Sequence, residues 1–312
     1  MSSNDSWKAR PFNKNIFTVS LINARSLHKK LDSLGNILNE LTADLCLLTE
    51  TWFKENRQIN ASLEDFINKT CYGLLRKDRG GPRRGGGVAI CFNKDKLQMT
   101  KAKIPPSKHE VYTAVGRRVG QRRKVVALVV YIPPWYNFQQ NQSLFDYVND
   151  AILALKSKYE NPYLIVGGDF NRRSFAAATA EAPEIKPILT GPTHGNATLD
   201  ILTSNVNHML VDQGTVRPVY TRGGEESDHM TVFAQIRMPK EVPSYAVEKY
   251  SYFHLTEEGD QEFGRWLEKQ DWTDLLNLTD PDKMAEEHAC FWLSMSSSYT
   301  FRTRTKRSSE PA

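Results

Sequence analysis

YLIVGGDFN, Tyr163 to Asn171, is an apolar run that stops abruptly in an acid, an aromatic ring and an amide. Leu164 to Val166 read as a short buried strand. Gly167 and Gly168 end it without bulk, and two residues separate Asp169 from Asn171, so on an extended chain both side chains point the same way. Charged groups are poor core material unless paired. A plain Asx turn after a strand accounts for any one such ending. Three further strand-like runs, LCLLTETW, TLDILTSN and SDHMTVFAQI, carry polar groups at their ends as well. Their coincidence points to a shared site rather than to four unrelated turns.

With 312 residues, 40% of them hydrophobic, the chain can build one large domain or one domain with an appendage. No apolar run reaches the ~18 residues of a membrane span, and no charged-then-apolar leader opens it, so neither membrane association nor secretion is expected. Four cysteines without a CxxC pair argue against structural zinc and a disulfide framework, and for a reducing compartment. The net charge of +5 mildly favours a polyanionic partner.

Residues 1–11 read as a flexible leader. A strand ends at Asn23, and apolar residues at 31, 34, 37, 38 and 41 follow with the spacing of an amphipathic helix. The next strand ends at Glu50. Residues 71–93 form two strand-like halves around a glycine- and arginine-rich turn. It lacks a GK[ST] ending, so a hairpin is the better reading than a phosphate loop. A second hairpin flanks RRVGQRRK and delivers Tyr131 just before Pro133 and Pro134. Arg83 and Arg84 in the first turn, and Arg122, Arg123 and Lys124 in the second, are candidate DNA-phosphate contacts; a solvated loop tip is the alternative. Arg172, beside Asn171, and Arg25, two residues after Asn23, join them as candidate phosphate contacts. A helix over 141–159, the strand to Asp169 and two more strand regions complete residues 12–240. Strands with interleaved helices predict two face-to-face sheets with helices outside. Residues 241–312 are expected to be a helical connector with a basic tail. Phe263, Trp266 and Leu267 share one helical face there, and Met284, His288, Phe291, Trp292 and Met295 another.

The strand ends together supply Asn23, Glu50, Tyr131, Asp169, Asn171, Thr193, Asp200, Ser227, Asp228 and His229. Acid and amide oxygens with a single histidine suit a hard cation such as Mg²⁺, which takes one or two carboxylates plus phosphate oxygens. Phosphodiester hydrolysis needs an oriented, deprotonated water, neutralised non-bridging charge and a stabilised leaving oxygen. This inventory can provide all three.

In this order, NARSL (23–27), LTETW (48–52), YIPP (131–134), GDFN (168–171), TLDIL (198–202) and SDH (227–229) resemble the endonuclease/exonuclease/phosphatase superfamily. More narrowly, they resemble the apurinic-type endonuclease domain of LINE-type non-LTR retrotransposons. The resemblance implies a four-layer α/β sandwich that nicks one strand of double-stranded DNA with Mg²⁺, Mn²⁺ being a possible substitute. It places Glu50, Asn23 and Asp228 at the metal, and Asp169 with Asn171 at the attacking water. Tyr131 falls at the phosphate, His229 with its orienting Asp200 beside it, and Thr193 and Ser227 as nearby hydroxyls. It further implies action in the nucleus after synthesis in the cytoplasm. Its other implied partners are a reverse transcriptase domain and an element RNA within a longer polyprotein, with the tail SSEPA resembling the edge of that domain.

The departures narrow the reading. Repair members of the superfamily carry a second metal aspartate where Arg25 stands, and an aromatic pocket residue where Ala197 stands. The retroelement YRPP is YIPP here, and His194 stands where a basic residue is usual. The competing readings are a phosphomonoesterase or lipid phosphatase on the same scaffold, and a silent retroelement relic that only binds DNA.

Overall fold

The computed structural model describes residues 15–54, 57–80, 85–171, 173–188 and 191–239 (backbone only at 57–60). It also describes the backbone of strands at 247–253 and 301–307, and single residues between 261 and 283. The chain divides into two compact units, Met1–Lys240 and Glu241–Ala312.

The first unit opens with β1 (Ile16–Asn23), α1 (Leu31–Glu40), β2 (Leu45–Thr49), α2 (Arg57–Lys69), β3 (Tyr72–Lys77) and β4 (Val88–Asn93). It continues through β5 (Leu97–Lys101), β6 (Val111–Arg118), β7 (Lys124–Tyr131), α3 (Phe138–Lys158) and β8 (Tyr163–Asp169). Strands β9 (Lys186–Ile188), β10 (Asp200–Ser204), β11 (Leu210–Val216) and β12 (Thr231–Arg237) complete it. These make two six-stranded mixed sheets, ordered β11-β12-β1-β2-β4-β3 and β5-β6-β7-β8-β10-β9. Each has one parallel pair at its centre, β1 with β2 and β7 with β8.

Side-chain alternation sorts the strands into layers. Val125, Ala127 and Val129 of β7 share the inter-sheet core with Leu21, Leu47 and Ile90 of the other sheet. Val126, Leu128 and Val130 point outward, onto Leu144, Val148 and Ile152 of α3. On the far side, Ile22 and Cys46 share a core with Leu34 and Ile37 of α1 and Phe66 of α2. Each fully buried aliphatic side chain contributes roughly 1.5–3 kcal/mol. The result is the expected sandwich of two sheets between helices.

Helix α3 starts three residues earlier than the apolar spacing indicates, because Asn137 caps it. Its side chain accepts the Gln140 N–H at 2.9 Å, and the Gln140 side chain accepts the Asn137 N–H at 3.0 Å. Helix α2 and strands β5 and β9 were not anticipated. In the second unit, β13 (Val247–Phe253) pairs antiparallel with β14 (Phe301–Arg307), where a helical connector with a basic tail was expected. FRTRTKR does alternate, but between polar classes, so it leaves no apolar signal. Leader residues 1–11, and the helical faces drawn from Phe263 to Met295, lie outside the described residues.

Candidate active site

The same alternation that fills the core empties into a polar rim. Steps of two from Val19 and Leu21 lead to Asn23, from Ala127 and Val129 to Tyr131, and from Tyr163 and Ile165 to Asp169. Asp200 precedes core residue Leu202 by two. All four therefore face the inter-sheet side where the apolar filling stops. Register completes the gathering, since Asp169 lies opposite Tyr131 on one side and Asp200 on the other.

Asp169 is 1% exposed. Its Oδ1 accepts the Asn171 N–H at 2.9 Å, and its Oδ2 accepts the Asn23 amide at 2.9 Å and the Asn171 amide at 3.3 Å. The Asn171 amide also donates to Ile132 O at 2.8 Å. Burial first, then the charge of Asp200, pushes the Asp169 carboxyl up to about 7; Asn171 and His229 pull against them, and Glu50 adds to the rise. A carboxylate this basic is suited to taking a proton from water.

His229 Nδ1 donates to Asp200 Oδ2 at 2.6 Å, which turns Nε2 away from Asp200. Burial pulls this imidazole down, but the Asp200 hydrogen bond and charge outweigh it, with Asp169 and Asp228 behind them, so it titrates above its ordinary value. Asp200 Oδ1 is buried and accepts no hydrogen bond from any of the described residues.

Glu50 lies one residue past β2 with φ 49°, and Trp52 has φ 55°. Carbonyls of the glycine-rich segment hold this left-handed turn, Gly87 O accepting the Thr51 N–H at 3.3 Å and Gly86 O the Trp52 N–H at 2.9 Å. A Cβ on Gly87 would meet Thr51 Oγ1 at 2.6 Å, so this glycine is needed for close approach. Glu50 Oε1 accepts the Tyr131 hydroxyl and Oε2 the Trp52 indole N–H, both at 2.9 Å. Burial, then the Glu50 charge, raises the Tyr131 phenol, keeping it a neutral donor. Glu110, missed in the sequence, anchors the glycines: it accepts the Gly87 N–H and Arg79 Nε, each at 2.6 Å.

At the mouth, Arg25 donates to Asp228 at 3.2 Å and His194 Nε2 lies 3.6 Å from the same carboxylate. The two rings of His194 and His229 are 4.8 Å apart. Thr193 and Ser227 hold backbone: Thr193 Oγ1 accepts the N–H groups of Leu199 and Asp200, and Ser227 Oγ donates to Asn23 O at 2.8 Å. Arg122, Arg123 and Lys124 are not brought to this rim. They lie at the opposite end of β7 from Tyr131, ~23 Å away at ~3.3 Å per residue. There Arg123 donates to Asn161 O and its guanidinium lies 3.9 Å from the Tyr163 ring centroid. Arg83, Arg84 and Arg172 lie outside the described residues.

Lys30 was also invisible to sequence patterning. It is buried, and its Nζ donates to Ala24 O at 2.9 Å and Arg25 O at 3.4 Å, beneath the left-handed Arg25 and Ser26. Burial lowers its pKa, against the pull of Asp228. Lys30→Met is expected to cost about 1–3 kcal/mol by leaving those carbonyls unpaired. Urea melts would show it, and an unchanged midpoint would mean that the ammonium does not hold the turn.

The donor set fits a hard divalent cation. Asp169, Asp200 and His229 offer ligand atoms within 4.8 Å of one another, as do His194, Asp228 and His229. Glu50 stands beside the first group, and the raised Asp169 carboxyl together with the orphaned Asp200 oxygen marks negative charge that the protein's own cations leave uncompensated.

No curated protein matches the chain. Solved structures do. An endonuclease/exonuclease/phosphatase family protein from Bacteroides thetaiotaomicron is 15% identical with a TM-score of 0.54, over 72% of this chain and 96% of its own. The endonuclease domain of TRAS1, a telomere-specific non-LTR retrotransposon, is 14% identical with a TM-score of 0.52, over 72% and 99%. A mannosyl-6-phosphatase of B. thetaiotaomicron is 16% identical with a TM-score of 0.53, over 70% and 98%. At these identities the likeness is one of fold. The profile of the Endonuclease/Exonuclease/phosphatase family, however, matches residues 19–229, from the inner face of β1 to the rim histidine, and the chain belongs to that family of phosphoester hydrolases.

Proposed function

We propose that the protein is a Mg²⁺-dependent endonuclease that nicks one strand of double-stranded DNA. The observation that carries this reading is the continuous hydrogen-bonded set around Asp169, which draws Asn23 from one sheet and Asn171 from the other and lies opposite the Asp200–His229 pair. In that setting Asp169 takes a proton from the attacking water as its oxygen bonds to phosphorus and the bond to the leaving oxygen breaks. Asn171 and Asn23 hold the carboxylate in line. His229, oriented by Asp200, faces a non-bridging phosphate oxygen, and Tyr131 donates from the Glu50 side. Glu50 and Asn23, with Asp228 close by, are the residues that would hold a divalent cation, which when bound would supply Lewis-acid charge at the phosphate and its leaving oxygen. The exposed Arg25 at the mouth gives a passing DNA backbone a cation to meet.

The ordered NARSL, TETW and YIPP motifs support DNA over a small phosphate ester, and the retrotransposon setting over repair. On this reading residues 241–312 lead toward a reverse transcriptase domain that works with an element RNA, and the nick opens insertion in the nucleus. Among the described residues no helix is long and apolar enough to cross a membrane.

Supercoiled plasmid should convert to nicked circles with Mg²⁺ or Mn²⁺ and stay supercoiled in EDTA. Glu50→Gln should raise the half-saturating Mg²⁺ concentration by about tenfold or more. Phosphate release from a sugar phosphate or an inositol phosphate without nicking would make the protein a phosphatase. Inactivity on all substrates would leave a silent binder.

A further inference from the structure

His194 is held beside the Ser227–His229 segment by backbone bonds. It opens a tight turn in which His194 and Ala197 each accept the other's N–H at 3.0 Å, with Gly195 between them at φ 54°. One residue earlier, Thr193 O accepts the Met230 N–H at 2.8 Å and ties that turn to the residue after His229. Two imidazoles and a carboxylate are thereby gathered at the mouth. Ligand atoms of His194, Asp228 and His229 lie within 4.8 Å of one another.

Nothing in the phosphate chemistry calls on His194. Its Nε2 stands 3.6 Å from Asp228 Oδ2, too far for a hydrogen bond. That separation is close to the ~3.3–3.5 Å between two ligands of one tetrahedral zinc ion. His229 is prepared for the same task, because its Nδ1 donates to Asp200 Oδ2 at 2.6 Å and leaves Nε2 as the ring's ligand atom. A carboxylate placed behind a histidine in this way fixes the tautomer and makes the metal-facing nitrogen more basic. Two imidazoles with one carboxylate suit Zn²⁺, whereas Mg²⁺ prefers oxygen ligands alone. The side chains of Asp228 and His194 are 41% and 42% exposed, so both can close on an ion once the exposed Arg25 guanidinium swings off Asp228.

We propose that His194, Asp228 and His229 form a Zn²⁺ site at the mouth, with water as the fourth ligand, and that the bound ion blocks the catalytic rim. The ion takes His229 Nε2 from the phosphate and draws Asp228 away from Glu50 and Asn23. Zinc and substrate phosphate therefore exclude one another, and removing the zinc frees the rim. The blocking rests on the endonuclease reading; the ion site does not.

The test titrates Zn²⁺ into the full chain in Mg²⁺-containing, mildly alkaline buffer by calorimetry, and repeats it with Co²⁺ by visible absorption. Neutral imidazoles are the ligands, hence the choice of pH. The wild type is expected to take one equivalent of Zn²⁺ and to give the visible bands of tetrahedral Co²⁺. His194→Ala should weaken Zn²⁺ binding by about tenfold or more and lose those bands. His194→Cys, which restores a zinc ligand, should recover the binding. His194 is partly exposed and its turn is held by backbone, so neither change threatens the fold. A wild type that takes no zinc overturns the site, as does equal affinity in His194→Ala, or a folded His194→Cys that binds no better than His194→Ala. Zinc that binds through His194 yet leaves plasmid nicking at its full rate overturns the blocking. Plasmid that stays intact in Mg²⁺ alone sinks the endonuclease reading, and the ion site is then decided by the titrations.

Discussion

Asp169→Asn is expected to lower nicking by ~10²-fold or more while the protein stays folded. The asparagine keeps the shape, and one of its faces can still accept the Asn171 N–H. What disappears is the basic carboxylate. Burial and the neighbouring Asp200 make that charge costly in the folded state, which offsets the acceptor lost where the new amide nitrogen faces the Asn23 and Asn171 amides, so the variant should stay within about 1–3 kcal/mol of the wild type. The pH dependence has a definite sign. Because the folded Asp169 pKa, at about 7, lies above an ordinary carboxylate, the folded protein holds a proton that the unfolded chain releases. In EDTA, wild-type stability from this group is fully present below about pH 4 and is lost as the pH rises through about 7. Asp169→Asn should remove that decline from melts taken between pH 5 and 8. The proton acceptor follows the opposite course, since the carboxylate needed for catalysis is depleted as the pH falls. A folded variant that nicks at the wild-type rate would remove Asp169 from the chemistry.

One residue earlier the expected loss is of the fold itself. A Cβ on Gly168 would sit 1.7 Å from Val130 O and 2.6 Å from Val130 C. Both are backbone atoms of the paired strand β7, in register with Gly168, so no rotamer change relieves the clash. Gly168→Ala should therefore force β7 and β8 apart, costing about 3 kcal/mol or more, or ~6–12 °C in melting temperature for a domain of this size. Gly167→Ala offers a graded comparison. Its new methyl meets the tips of Leu47 and Leu202 at 3.0 and 3.1 Å and the Ile201 carbonyl at 3.2 Å, so it should cost less. Gly80, with nothing within 4 Å, is the control. Equal melting temperatures for Gly168→Ala and Gly80→Ala would mean that the two strands do not approach as closely as described.

Much of this molecule was legible one residue at a time. The apolar runs ending at Asn23, Tyr131 and Asp169 are strands because alternation and β-branching are carried by adjacent residues. Their polar ends mark a rim even before the strands are paired. The direction of each group at that rim belongs to the tertiary structure. Glu50 is aimed by a left-handed turn pinned to Gly86 and Gly87, and the carboxylate anchoring Gly87 is Glu110, an isolated acid with no motif around it. Lys30 reads as one more surface lysine until the Asn23–Ser26 turn folds over it. How far Arg122 to Lys124 lie from the rim is not legible in sequence; the antiparallel pairing of β6 with β7 carries their turn to the far end of the sheet. The Asn23–Asp169 hydrogen bond spans 146 residues, and β13 meets β14 through pairs 48 to 60 residues apart. Local periodicity selects strand or helix, because neighbouring residues share one backbone geometry. Which strand ends meet is decided by the closing of two sheets on a common core, and no local stretch of sequence carries that information.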